Sequence, residues 1–449
     1  MPTPPAAATR RATIDTTAVA VAVLSAFLAL LTAVGADSRW LAAVGRAAFT
    51  HHSIPDRIPY AAAPSAGWPN VPALGELLFY GFSALGDRGL LLAQLLAVAG
   101  ALSLLARDLR RGGAGRAAPL VLVVVALGSL SALIAIRGQL FSLVLFPLLL
   151  TLLRSEAREP SRRIWLLVPL VGVWSNLHGA VLVGLAVAAA YLLLDRAFRE
   201  PLVALGVLAT AGVALFATPA LARTGTYYHS VMQNEAARRG FGLWAPLSLH
   251  APLDVLAIAA AAPLLVLALR ARMPRWELAA LAGLVALTVQ SGRGAVWLLF
   301  LLALPAARAL RVAWLPTRVH RIVALPALAV LALAVVRGPY PLSAGDGLVR
   351  TAITRARGTP ILAESVPAEQ VALAGGTVWI ANPLDAFAHA DQRLYLDWLQ
   401  GRPAGDAALA RTRMVLVIRG SAPQRRLAAS RSFRELGHDA HAVLYARSS

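Results

Sequence analysis

Residues 17–60 read TAVAVAVLSAFLALLTAVG and then ADSRWLAAVGRAAFTHHSIPDRIPY. At about 1.5 Å of rise per residue, the first part is long enough as a helix to approach the ~30 Å of a bilayer's hydrocarbon core. The second part gathers Asp37, Arg39, Trp40, Arg46, His51, His52, Asp56 and Arg57 immediately after it. An apolar run that opens into so polar a segment describes a membrane span followed by a surface held against the bilayer. Residues 36–60 are therefore the first place to look for chemistry. The run outlasts a secretory h-region and lacks a convincing small-residue cleavage site, so it is expected to remain as the first span.

Composition extends this reading to the whole chain. With 449 residues, 58% of them hydrophobic, only 14% charged and a mean hydropathy of +0.66, the chain is too apolar for a soluble globular protein. It is expected to be polytopic and α-helical. There is no cysteine, which removes disulfides, thiolate nucleophiles and metal–thiolate sites. The net charge of +20 comes with 42 basic residues, all arginine, that punctuate apolar runs instead of coating one soluble face. That pattern is the positive-inside rule, and no nucleic-acid partner is expected.

Apolar runs of span length or slightly less lie near 17–35, 89–106, 118–136, 139–153, 164–176, 179–195, 201–217, 252–270, 276–291, 294–310 and 322–336, about eleven spans. Arginines fall in every second connection: Arg107, Arg110, Arg111 and Arg116; Arg154, Arg158, Arg162 and Arg163; Arg196 and Arg199; Arg270, Arg272 and Arg275; Arg308, Arg311, Arg318 and Arg321. With the N-terminus and its Arg10 and Arg11 cytoplasmic, these lie inside, in a bacterial inner membrane, and the tail lies outside. The outer connections are then 36–88, Arg137-Gly138-Gln139, Asn176-Leu177-His178, 218–250 and Ser291-Gly292-Arg293. The unusual polar residues of the membrane half thus share one face. Residues 73–85 are apolar but short of a span, as in an interfacial helix.

After Val336 no span-length run remains. Short β-like runs at 360–366, 377–381, 414–419 and 442–446, with helix-like segments near 391–400 and 422–431, predict a small extracytoplasmic α/β domain over 337–449 behind a membrane domain over 1–336.

Asp37, just past the first span, is placed to act as a general base on an acceptor hydroxyl, or else to anchor the chain at the interface. Arg137 caps a tight hairpin, where it either snorkels to headgroups or holds a phosphate bidentately. Arg293, between Gly292 and Gly294, costs several kcal/mol at membrane depth unless it meets an anion, a carboxylate such as Asp37 or Glu76, or water. Asn176 and His178, two apart within an apolar stretch, suggest a lined cavity. A divalent metal would need His51, His52, Asp56 and Glu76 to come together, since no ligand spacing is evident.

The set Asp37-Ser38-Arg39-Trp40, Gly45-Arg46, Ile54-Pro55-Asp56, Gly75-Glu76-Leu77-Leu78-Phe79-Tyr80, Arg137-Gly138-Gln139-Leu140-Phe141 and Trp174-Ser175-Asn176-Leu177-His178-Gly179 resembles bacterial GT-C glycosyltransferases. In this it is similar to the protein O-mannosyltransferases and the lipid A aminoarabinose transferases. The resemblance covers most of 17–310. It implies a sugar transferred from a polyprenyl-phosphate donor, a lipid-linked partner, on the outer face, with Asp37 as base. It further implies donor or acceptor contacts from Arg39, Asp56, Glu76, Arg137, Gln139, Asn176, His178 and Arg293, in a site open to membrane lipid. Departures are Ser38-Arg39-Trp40-Leu41 where a second acid or Trp-Trp-His is usual, Val71-Pro72-Ala73-Leu74 where a His-Glu-Trp element is usual, and Leu243-Trp244 where an acidic-Trp pair is usual. They admit a second expectation, a non-catalytic protein that binds or transports a lipid-linked envelope precursor. The residues leave protein partners open.

Overall fold

Helices form wherever the apolar runs lie, because a chain in hydrocarbon must satisfy its own backbone hydrogen bonds. The computed structural model describes residues 13–35 and 37–448. Its main helices over the apolar runs are Thr16–Leu31, Gly86–Arg111, Ala118–Gly128 followed by Leu130–Ile134, Leu140–Arg158, Leu167–Ser175, Val181–Leu194, Pro201–Ala214, Pro252–Arg270, Arg275–Gln290, Ala295–Ala309 and Leu325–Arg337. Among the described residues, five helical stretches are long and apolar enough to cross a membrane unaided: Gly86–Arg111, Leu140–Arg158, Val181–Phe198, Pro252–Arg270 and Gly292–Ala309. Ala295–Ala309 is buried on every side from Ala295 to Ala307, as befits a helix apolar all round. On the bundle's outside, Leu96, Leu202, Val213 and Val289 are 73%, 84%, 72% and 72% exposed. Such a surface suits hydrocarbon and not water.

Two short pairings fix the ends of the bundle. Thr13–Asp15 pairs antiparallel with Arg318–His320 at one end, and Ala33–Val34 pairs parallel with Tyr340–Pro341 at the other. The helices Thr16–Leu31 and Leu325–Arg337 therefore run side by side in one direction, and the tail begins at the same end as Asp37. That end also collects the hairpin at Arg137, through Ile136 N–H to Ala33 O at 3.2 Å, and the one at Asn176, through Gly75 N–H to Asn176 O at 3.1 Å.

The opposite end is rich in arginine, but two of these arginines do not serve as headgroup anchors. Arg154 is buried and donates to Asp108 and to Glu277 (2.7 Å), and also to the carbonyl of Leu301 (2.9 Å). One guanidinium so ties together four helices. Arg196 is likewise buried, against Glu156 at 3.1 Å.

The tail carries a four-stranded sheet in the order Ile361–Ala363, Met414–Ile418, Ala442–Arg447, Phe433–His438, parallel in its first pair and antiparallel in the others. The first strand is shorter than the run 360–366 suggested, because the chain turns at Glu364 into the helix Ser365–Leu373. Residues 377–381 form no ladder strand. Val378 instead bridges Ala61 and Ile361, stitching the first loop to the sheet. The tail's core accordingly includes Trp40, Ala43, Val44, Ile58, Ala63 and Trp68 from that loop.

Trp40, Ala43 and Val44 sit on a helix, Ser38–His51, wedged between the Ala73–Ser83 helix and the tail's Ser365–Leu373 helix. Trp40, Ala43, Val44 and Ala47 recur at the spacing of one helical face and are buried. On another face Gly45 crosses Ala73–Ser83 so closely that a Cβ there would lie 2.1 Å from the carbonyl oxygen of Glu76.

Candidate functional site

Asp37 is the N-cap residue of Ser38–His51, yet its side chain makes no capping bond. Its Oδ1 accepts instead from the backbone N–H of Gly138 at 3.2 Å. Burial pushes its carboxyl above the ordinary range, opposed by Arg137, the Gly138 N–H and Arg293. Two segments remote in sequence, Arg137-Gly138 and the hairpin of Arg293, therefore act on one carboxyl group.

Gly138 sits where the Arg137 hairpin passes Leu41 and His178: a Cβ there would lie 3.2 Å from the first side chain and 3.5 Å from the second. The Nε of Arg137 is buried without a hydrogen-bond partner among the described residues. Arg293 is held at the other hairpin by a single-turn 3₁₀ segment, Gly292–Gly294, with its guanidinium 4.5 Å above the Trp244 ring. Among the described residues, no carboxylate pairs with either guanidinium within 4.0 Å. The two lie close enough to repel one another and to attract Asp37. Two cations face Asp37, with Glu369 also acting on Arg137, an arrangement suited to an oxyanion.

His178 adds a neutral donor. Trp174 Nε1–H donates to Ser142 Oγ at 2.8 Å, so the hydroxyl hydrogen is free for His178 Nδ1, also at 2.8 Å, and Ala180 N–H reaches the same nitrogen at 3.2 Å. With Nδ1 accepting, the proton of the neutral ring is on Nε2. Burial and the nearby Arg293 and Arg137 push the imidazolium pKa down to about 3. At neutral pH His178 therefore offers an N–H without adding charge.

Next to these groups lies a set of acids. Glu76 is buried with Asn70 Nδ2 donating to it at 2.6 Å, and burial pushes it up to about 7. Asp385, bonded by Trp68 Nε1–H at 3.3 Å, is pushed up to about 6. The Tyr227 hydroxyl feels Asp385, Glu76 and Arg293. Glu369, from the tail, is pushed up to about 8 by burial and by Asp37. Sequence reasoning did not find Glu369 or Asp385 as members of this cluster, since nothing local marks a tail residue as facing a hairpin hundreds of residues earlier.

The other expected residues are placed differently. Arg39 is committed to Asp87 at 2.7 Å. Asn176 spends its amide hydrogens on Gly172 O and Ala217 O and so holds its own hairpin. Gln139 is buried at the start of Leu140–Arg158, beside Arg137 in sequence. Asp56 is exposed and, among the described residues, pairs only with its neighbour Arg57. His51, His52 and Asp56 are all exposed whereas Glu76 is buried on Asn70, so the grouping proposed for a metal is not assembled. Among the described residues no three His, Asp or Glu side chains are grouped to hold an ion.

No family profile matches the chain, and no curated protein sequence does. Solved structures do. ArnT from Cupriavidus metallidurans bound to undecaprenyl phosphate superposes with a TM-score of 0.52 at 14% identity, over 96% of this chain and 97% of that one. ArnT in the apo state gives 0.54 and 15% over the same shares. The match runs through both the helical bundle and the tail. Over that share the chain has the fold of ArnT.

Proposed function

We propose that the protein is a multi-pass glycosyltransferase that moves a sugar from a polyprenyl-phosphate donor to an acceptor of the cell envelope, on the outer face of a bacterial inner membrane. The observation that carries this is the pair Arg137 and Arg293, without carboxylate partners among the described residues, beside Asp37 and the Nε2–H of neutral His178. The presence of undecaprenyl phosphate in an ArnT structure of the same fold supports a lipid phosphate as their ligand. The alternation of basic and polar connections supports about eleven spans with the tail outside.

In this reading Asp37 orients an acceptor hydroxyl and takes its proton as the oxygen attacks the anomeric carbon. The bond from that carbon to the phosphate oxygen breaks, and its electron pair goes to the phosphate. Arg137, Arg293 and His178 Nε2–H receive the charge that develops there. Glu76 lies on the acceptor side, with Gln139 supporting the Arg137 hairpin. Residues 337–449 form a lid domain on the membrane unit 1–336, borrowing Trp40 and Trp68 for its core.

The test is transfer from a synthetic polyprenyl-phosphate sugar in proteoliposomes. Asp37→Asn is expected to lower the rate by about 100-fold or more, the usual worth of a general base. Arg137→Ala and Arg293→Ala are expected to weaken donor binding. Binding that depends on both arginines, with no turnover under any metal condition, would instead identify a non-catalytic carrier of a lipid-linked precursor.

A further inference from the structure

The Ser38–His51 helix is capped in an unusual way. First-turn N–H groups need acceptors, and an Asp at the N-cap ordinarily supplies one to the second or third residue. Asp37 holds that position but turns to Gly138. The N–H groups of Arg39 and Trp40 are taken by Oε2 of Glu369, at 3.1 and 3.4 Å, from the far side of the sequence. Glu369 is 2% exposed. Its helix, Ser365–Leu373, is clamped onto Ser38–His51 by Arg46, which donates to the carbonyls of Leu373 (2.6 Å) and Ala372 (3.2 Å).

We infer that Glu369 is a positioning residue of the transfer reaction: the tail caps the Asp37 helix in place of Asp37, which leaves the Asp37 carboxyl free to face the Arg137 hairpin. The inference rests on the reading of Asp37 as the reacting acid. If Glu369 is removed, Asp37, which holds the N-cap position, becomes the candidate acceptor for the Arg39 and Trp40 N–H groups. Docking of the tail thereby arms the site.

Three variants in the full-length protein test this. Glu369→Ala is expected to lower the turnover number by at least about tenfold, in line with the loss of a cap, while undecaprenyl-phosphate affinity stays within about threefold, because Arg137, Arg293 and His178 are untouched. Glu369→Gln keeps an acceptor oxygen in place and is expected to restore turnover. Glu369→Asp, too short to reach both N–H groups, replaces Ala if that variant does not fold. A structure of the impaired variant supplies a readout independent of turnover, with Asp37 expected on Arg39 or Trp40 N–H and away from Gly138. Asp37 still on Gly138 with undiminished turnover would overturn the inference, as would equal loss in Ala and Gln accompanied by loss of donor affinity. A wild type that transfers no sugar would sink the proposed function, and the position of Asp37 in the variant would still decide the cap.

Discussion

Glu76, Asp385 and Glu369 are carboxyl groups pushed by burial to about 7, about 6 and about 8. The unfolded chain releases these protons at ordinary carboxylate pH, so over the interval from about pH 4 to 8 the folded state binds more protons than the unfolded one. Stability from these groups is then largest at low pH and falls as pH rises. The thermal midpoint of detergent-solubilised protein is expected to decline from about pH 5 to 8, and Glu76→Gln with Glu369→Gln is expected to flatten the slope. A midpoint that rises across that interval would contradict the assignment. His178 behaves oppositely to a pH switch: with its pKa near 3 it stays neutral throughout. A rate profile against pH should show no inflection near 6.5 that His178→Gln removes.

Among the elements, the crossing of Ser38–His51 over Ala73–Ser83 is the most sensitive to volume. Gly45→Ala sets a methyl against the Glu76 carbonyl. Overpacking of this kind costs about 1–3 kcal/mol and moves both Asp37 and Glu76, so thermal stability and transfer rate should fall together. A Gly45→Ala variant with wild-type stability and rate would show that the two helices can separate freely. The sequence alone shows the long helices, since apolar length reports directly on a bilayer. It also shows that Asp37, Arg137, His178 and Arg293 share one end, since alternate connections must. It conceals Ser38–His51 as a helix because Trp40, Ala43 and Val44 bury their face in the tail, a partner no local pattern reveals. The strand Phe433–His438 escapes for a related reason: it is a sheet edge whose Arg434, Glu435 and His438 read as loop. Residues 377–381 mislead in the other direction, their apolar run serving as a seam to residues 61–63 and not as a ladder strand.

At the scale of the whole molecule, the two ends of the bundle divide the work. One end is fastened by buried ion pairs, and the other leaves Arg137 and Arg293 without partners among the described carboxylates. Arg154→Met would strand Asp108 and Glu277 in the interior, a loss of about 3–5 kcal/mol. It is expected to lower the thermal midpoint sharply, with partial recovery when Asp108→Asn and Glu277→Gln are added. A midpoint unchanged by Arg154→Met would show that this network holds nothing together. The site end requires the converse, that Arg137 and Arg293 find their counter-charge in a ligand. The most direct measurement is binding of undecaprenyl phosphate to purified protein in nanodiscs, for wild type, Arg137→Ala and Arg293→Ala. Saturable binding in the wild type, weakened at least about tenfold in each variant, is the predicted result. Binding that is absent from the wild type, or indifferent to both arginines, would contradict it.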